Sequence, residues 1–120
     1  MIWNKSKECM SRDEMAALQG KRLHKLVELV YHNVPFYREK MQALDLAPED
    51  INSIEDIVKL PFTTKQDLRD SYPFGMSAVP LSRVVRLHSS SGTTGTPTVI
   101  LHTQRDLDEW ANAVARCLYM

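Results

Sequence analysis

The segment Tyr72-Pro73-Phe74-Gly75 separates two parts of the sequence that have different hydrophobic periods. Proline and glycine together favour a turn, because proline fixes φ and glycine accepts backbone conformations that other residues avoid. Before this turn apolar residues recur at helical spacing, whereas after it short runs of branched residues are typical of strands. We therefore predict a mixed α/β chain, with a helical region at 1–75 and the start of an α/β domain at 76–120.

A long helix is predicted to begin at Arg12. Ser11 can cap its first amides, and Glu14 can reach back to the backbone of the cap, which is the pattern of a capping box. The helix should end before Pro35, because the residue before a proline is pushed out of the helical region. Pro35 can itself open a second helix that reaches about Leu44.

Two shorter helices are predicted by the same capping pattern. Ser53 is followed three residues later by Asp56, and Thr64 is followed three residues later by Asp67. A hydroxyl and a carboxylate at this spacing can bond reciprocally to the free amides of a new helix. Everything before the turn at residues 72–75 is therefore expected to be helix or short connector.

After the turn the sequence predicts a strand at 83–87, a loop at 89–97, a second strand at 98–102 and a last helix. Thr103 and Asp106 have the spacing of a cap, so the helix should begin at about Gln104. Its apolar stripe consists of Leu107, Trp110, Ala111, Val114, Ala115 and Leu118. This stripe continues to the end of the sequence without a capping signal, which favours a chain cut inside a larger domain.

Charge and cysteine content exclude several classes of protein. Lysine plus arginine and aspartate plus glutamate each number 15, so the chain lacks the positive field that holds nucleic acid. The apolar runs are too short for a membrane span, and the first residues lack the apolar centre of a secretory signal, so we expect a cytoplasmic protein that binds no membrane. Cys9 and Cys117 are expected to be reduced thiols, with Cys117 buried in the last helix.

One loop carries a chemically specific pattern. The candidate phosphate-binding residues are Ser89, Ser90, Ser91, Gly92, Thr93, Thr94, Gly95 and Thr96. The two glycines let successive backbone amides come close to an anion, and the hydroxyls add donors that could also meet a phosphate-bound magnesium ion. A surface turn made of small polar residues is the alternative reading of the same composition.

Other chemistry is poorly supported. No lysine follows Gly95 as it would in the GxxxxGK[ST] loop, and Ser91 lacks the Gly-x-Ser-x-Gly pattern of a serine hydrolase. His88 could touch a substrate or phosphate, although a bond to the backbone at a strand end is the preferred interpretation. The four histidines form no metal-ligand pattern, and His24 and His32 are expected to face solvent. We therefore assign no catalytic residue and no metal ligand within these 120 residues.

Five segments together resemble a known family. They read Ser-Ser-Gly-Thr-Thr-Gly-Thr-Pro at 90–97, Val-Pro-Phe-Tyr-Arg at 34–38, Leu-Pro-Phe-Thr-Thr-Lys at 60–65, Asp-Leu-Arg at 67–69 and Tyr-Pro-Phe-Gly at 72–75. The first is similar to the phosphate loop of the adenylate-forming superfamily of acyl-CoA synthetases. The other four resemble the phenylacetate-coenzyme A ligase family within it.

The resemblance implies a two-step reaction in which a carboxylic acid and ATP give acyl-AMP and pyrophosphate, and coenzyme A then displaces AMP. It implies ATP, magnesium and coenzyme A as cofactors or substrates. It also implies that the carboxylic acid is an aryl acid, with phenylacetate as the first candidate. In such enzymes this loop holds the β and γ phosphates. Family members often have lysine at the position of Thr96, and the wider superfamily usually has lysine at that of Thr98, so this chain lacks both cations.

The resemblance also implies that most of the enzyme lies outside this sequence. Family enzymes run to several hundred residues and are commonly dimers, so the helical region can be an oligomer contact, and the piece alone is expected to be inactive. The alternative hypothesis is a non-catalytic module that binds phosphate or mediates dimerisation.

Overall fold

The computed structural model describes residues 2–90 and 95–119. The α-helices are α1 Lys5–Glu8, α2 Arg12–Asn33, α3 Pro35–Gln42, α4 Lys65–Asp70 and α5 Gln104–Leu118. Short 3-10 helices span Pro48–Asp50, Ile54–Lys59 and Leu81–Arg83, and the strands are β1 Val84–Ser90 and β2 Thr98–Thr103. The predicted order of helices, strand, loop, strand and helix is confirmed.

The long helix begins and ends where the sequence predicts. The Ser11 hydroxyl accepts from the Glu14 amide at 3.2 Å, and the Glu14 carboxylate accepts from the Ser11 amide at 2.9 Å, which completes the capping box. Val34 leaves the helical region with φ −120° and ψ 103°, and Pro35 opens α3. The helix predicted after Ser53 is instead a 3-10 helix, because its amides bond to carbonyls three residues back.

Two features of the helical region differ from the predictions. Helix α1 was not predicted, because its four residues are too few to show an apolar period; it begins where the Asn4 side chain accepts from the Lys7 amide at 3.3 Å. His24 does not simply face solvent: its Nδ1 lies 2.7 Å from the Ile51 carbonyl oxygen, so this partly buried ring ties α2 to the connector beyond α3.

The buried core lies where α2, α3 and that connector meet. Val27, Met41 and Ile51 pack together there, each no more than 3% exposed. Gly20 lets α2 approach this region, because a Cβ at that position would lie 3.3 Å from the Ser53 Cα and the Ile54 nitrogen. The core therefore holds the helical region together. The strands pack on this region through contacts of α4 with β2.

The strands form an antiparallel pair that is longer than predicted. His88 pairs with Ile100 and Ser90 pairs with Thr98, so β1 continues three residues past the predicted end at residue 87. Ser89 and Ser90 are thus strand residues and not loop residues. The composition of serines favoured a loop, but their backbone groups find ladder partners on β2, which outweighs that preference.

The apolar stripe of α5 is largely exposed in this structure. Trp110 is 50% exposed, Val114 45% and Leu118 82%, and Cys117 is also exposed, which contradicts its predicted burial. A helical period shows which face is apolar but not what covers it, and in the described residues little lies over this face. No helix within 2–90 and 95–119 is long and apolar enough to cross a bilayer.

Candidate phosphate-binding site

The structure places half of the predicted site residues. Ser89 and Ser90 end β1, and Gly95 and Thr96 lie on the return towards β2. Ser91, Gly92, Thr93 and Thr94, which the sequence also assigns to the site, lie outside the described residues. The geometry of the site therefore comes from the two arms of the loop.

The arms are joined at the base of the loop by a side-chain bond. The hydroxyls of Ser90 and Thr98 hydrogen-bond to each other, and the two residues are also partners in the β ladder. Thr98 is 9% exposed and belongs to the buried residues, whereas Ser90 is exposed. The ends of the loop are consequently held at the separation of a strand pair, and a ligand would not need to bring them together.

Gly95 has a backbone conformation that requires glycine. Its φ is +134°, a value that residues with a side chain rarely adopt, and a Cβ at this position would meet none of the described residues within 4 Å. The glycine is therefore needed for its dihedral angle and not for lack of space. Thr96 follows with an exposed side chain, so it is free to meet a ligand at the mouth of the loop.

The loop itself supplies no cationic side chain, since residues 89–98 include neither lysine nor arginine. Its donors for an anion are backbone amides and hydroxyl groups. Such donors can bind phosphate oxygens in a concave loop, but they do not neutralise the charge of a polyphosphate. The site is suited to position a phosphate chain whose charge is balanced by another group, such as a bound divalent cation.

An aromatic cluster lies beside the strand that enters the loop. The ring centroids of His88 and His102 are 4.7 Å apart, and Trp110 on α5 lies 5.4 Å from His88 and 5.7 Å from His102. His88 thus packs against two aromatic rings, while the bond to backbone expected for it stays a prediction. The sequence gives only part of the signal for this cluster: His102 ends a predicted strand and Trp110 is on the predicted apolar stripe, whereas His88 lies just past the predicted end of the first strand at residue 87.

Helix α5 is fixed to the end of β2 by a complete capping box. The Asp106 carboxylate accepts from the Thr103 amide and hydroxyl, both at 2.8 Å, and the Thr103 hydroxyl accepts from the Asp106 amide at 3.3 Å. The Thr103 amide bond is the main cause that lowers the pKa of Asp106, and the Thr103 hydroxyl, His102 and Arg105 lower it further. The carboxylate form therefore holds α5 directly against the strand that leaves the loop.

An ion pair within the helical region connects α3 to α4. Lys40 on α3 lies 3.2 Å from the Asp67 carboxylate, and it also donates to the Phe62 carbonyl at 3.1 Å. Asp67 caps α4 through Thr64, whose amide bond is the first cause of the lowered pKa of Asp67. Because α4 packs on β2, these contacts connect α3 to the strand pair through the motif residues at 60–69.

No protein-family model matches the chain. It is 54% identical over 111 residues to a phenylacetate-coenzyme A ligase of Escherichia coli (strain K12), a match that covers 92% of this chain and 25% of the relative. It is 47% identical over 118 residues to a phenylacetate-coenzyme A ligase of Thermus thermophilus, covering 98% of this chain and 26% of that one. The chain thus spans about a quarter of the length of the curated relatives that it matches.

Solved structures agree with this similarity. A crystal structure of 2-hydroxyisobutyryl-CoA ligase in complex with 2-HIB-AMP and CoA has a TM-score of 0.88 to this chain at 32% identity, over 98% of this chain and 26% of that one. The same ligase in the postadenylation state gives a TM-score of 0.85 at 30% identity. The fold of these residues is therefore that of the corresponding part of an adenylate-forming CoA ligase.

Proposed function

We propose that this chain, a homologue of phenylacetate-coenzyme A ligases over about a quarter of their length, carries the ATP phosphate loop of an aryl-acid coenzyme A ligase. The observation that carries the proposal is the loop between β1 and β2, which is closed at its base by Ser90 and Thr98 and turned by Gly95 at a positive φ. That geometry suits a ligand that approaches the backbone closely, as a phosphate chain does.

The proposed reaction is the two-step activation of a carboxylic acid. The acid attacks the α phosphate of ATP to give acyl-AMP and pyrophosphate, and the thiol of coenzyme A then displaces AMP to give the thioester. The relatives are named for phenylacetate, which makes an aryl acid the proposed substrate. One solved neighbour contains an acyl-AMP together with CoA, and another contains an acyl-AMP in the postadenylation state, which agrees with this order of steps.

The loop contributes positioning to this reaction. We assign the contact with the β and γ phosphates to Ser89–Thr96. Within this segment Ser90 closes the base of the loop through its bond to Thr98, and Thr96 presents an exposed side chain on the returning arm. Holding the outer phosphates leaves the α phosphate in place for attack, and such positioning can supply much of the rate enhancement in a transfer reaction. No described residue of this loop needs to act as an acid or base.

Magnesium is part of the proposal because the loop lacks cations. Hydroxyl oxygens are suitable neighbours for a hard cation that remains bound mainly to phosphate oxygens and water. When bound, the ion would neutralise charge on the phosphates, while the loop residues orient them. The division into a helical region at 1–75 and the α/β part at 76–120, a cytoplasmic location and a homodimer also belong to the proposal.

The test is ATP-dependent thioester formation by the complete ligase that contains this sequence, over a panel of aryl and alkyl acids. We expect AMP and pyrophosphate to form only when an acid is present, with phenylacetate or a close analogue giving the highest kcat/KM. Binding of ATP without acid-dependent release of pyrophosphate would instead favour a non-catalytic phosphate-binding module.

A further inference from the structure

One face of the strand pair connects α5 to the base of the loop. Residues that pair directly in an antiparallel ladder share a face, and alternate residues along a strand repeat it. Ser90 with Thr98, His88 with Ile100, and then His102 therefore lie in sequence along one face. The line begins at the residues that close the loop and ends beneath α5.

Trp110 contacts both histidines of this line. Its ring meets His88 of β1 edge to face, at an interplanar angle of 75°, and lies stacked over His102 of β2, at 27°. Both arrangements are among those that aromatic rings prefer. Trp110 thus bridges the strand that enters the loop and the strand that leaves it.

The start of α5 is anchored to the end of β2. Helix α5 begins at Gln104, directly after β2 ends at Thr103, and Thr103 with Asp106 completes the cap. Trp110 lies about two turns into this helix, so its backbone position is fixed relative to β2. His88 is two residues before Ser90 on the same face of β1, so the ring that Trp110 contacts is the next side chain of that face before the closed base.

We propose that Trp110 is a positioning residue for ATP, which acts through His88 and the Ser90–Thr98 pair on the phosphate loop. Trp110 itself is not assigned a contact with ATP. This inference rests on the proposed function, and it adds a residue beyond the loop to the ATP site. It accounts for a tryptophan that is half exposed and yet oriented by two other rings.

Trp3 provides a matched control. It is also 50% exposed, it donates to the Asn112 side chain on α5 at 2.8 Å, and its ring lies 5.4 Å from Tyr119. Truncation of Trp3 therefore removes a comparable indole that packs on the same helix without touching either histidine of the cluster.

The experiment compares Trp110→Ala and Trp3→Ala in the complete ligase, with KM for ATP and KM for the acid measured separately. Trp110→Ala should raise KM for ATP about three- to tenfold, which corresponds to the loss of roughly one aromatic contact because only part of the two lost contacts is felt at the loop, and it should leave KM for the acid within about twofold. Trp3→Ala should leave KM for ATP and KM for the acid unchanged. Trp110→Phe should keep KM for ATP close to the wild-type value. Equal changes in the two alanine variants, or equal changes for ATP and acid, would overturn the inference.

A second measurement does not depend on how well Trp110→Ala folds. In the Trp3→Phe variant, Trp110 is the one tryptophan of residues 1–120. The emission of the ligase's other tryptophans is subtracted by recording the same spectrum for the Trp3→Phe/Trp110→Phe double variant. ATP should change the Trp110 emission, and AMP, which lacks the outer phosphates, should change it less. An unchanged emission on saturation with ATP would overturn the inference. If the wild-type enzyme formed no thioester in the presence of acid, the proposed function would be overturned instead. Failure of the inference about Trp110 and failure of the proposed function can therefore be told apart.

Discussion

The side-chain hydroxyls of Ser90 and Thr98 bond to each other across the base of the loop, although eight positions separate them in the sequence. One residue ends β1 and the other begins β2, so the bond reinforces the last pair of the ladder. A loop closed in this way loses less conformational entropy when it binds an anion than an open one would. On the returning arm, Gly95 adds a turn of the backbone at a positive φ.

Gly95→Val is expected to abolish or strongly reduce adenylation in the complete ligase. A branched residue at a φ of +134° is strained, by roughly 1–3 kcal/mol, and relief of that strain would turn the backbone amides away from the phosphates. Among the described residues the space around this position is open, so the effect should come from the backbone and not from a clash. Acid-dependent pyrophosphate release at the wild-type rate by a folded Gly95→Val protein would contradict the phosphate-cradle assignment.

Two isoleucines allow a matched test of the core. Ile51 is fully buried, whereas Ile57 in the following 3-10 helix is 52% exposed. Ile51→Ala should lower the free energy of unfolding by about 2–5 kcal/mol, because it leaves a cavity against Val27 and Met41. Ile57→Ala should cost about 1 kcal/mol or less. Denaturant unfolding of both variants measures the difference, and similar losses would place Ile51 outside the core.

The Asp106 cap should make stability depend on acid pH. Its pKa lies below the usual value of 3.8, so the folded state favours the carboxylate. The resulting stabilisation is complete above that value and is lost as pH falls through the lower pKa of the folded state. Thr103→Val removes the hydroxyl donor but keeps the amide donor, so the Asp106 pKa should rise and still remain below 3.8. NMR titration of the carboxyl carbon tests this; an unchanged pKa would contradict the contribution assigned to the hydroxyl.

Local signals allowed the elements to be predicted where chemistry between neighbours decides the structure. The capping residues Ser11, Thr64 and Thr103 each mark a helix start that the structure confirms. Where a distant partner decides, the sequence was less informative. The sequence pattern places Ser90 in the loop, because the residues next to it in the sequence do not indicate that it pairs with Thr98 as the last pair of the β ladder.

The same limit applies to burial and to the site. Cys117 is on an apolar helix and yet exposed, since a helical period does not say which element covers a face. The His88–Trp110 contact depends on strand register and on the start of α5, so composition alone could not reveal it. The glycine-rich pattern was more direct, because Gly95 adopts a φ of +134°, which glycine accepts much more readily than other residues do.

The last prediction concerns Thr96, which occupies a position where members of the resembled family often have lysine. Its side chain is exposed on the returning arm of the loop, so Thr96→Lys can add a cation without disturbing packing. If that arm meets the outer phosphates, the lysine should tighten ATP binding by roughly 1 kcal/mol, or about fivefold, since an exposed charge pair yields only part of its Coulomb energy. Thr96→Gln is the control, because it adds length and a hydrogen-bond donor without the charge.

Because the added interaction is electrostatic and exposed, it should weaken as salt rises. It should also be larger for ATP than for AMP, because AMP lacks the β and γ phosphates. Dissociation constants of both nucleotides for wild type, Thr96→Lys and Thr96→Gln at two ionic strengths separate these effects. Equal tightening of ATP and AMP would mean that residue 96 does not face the outer phosphates, and the orientation proposed for the nucleotide in this loop would have to be abandoned.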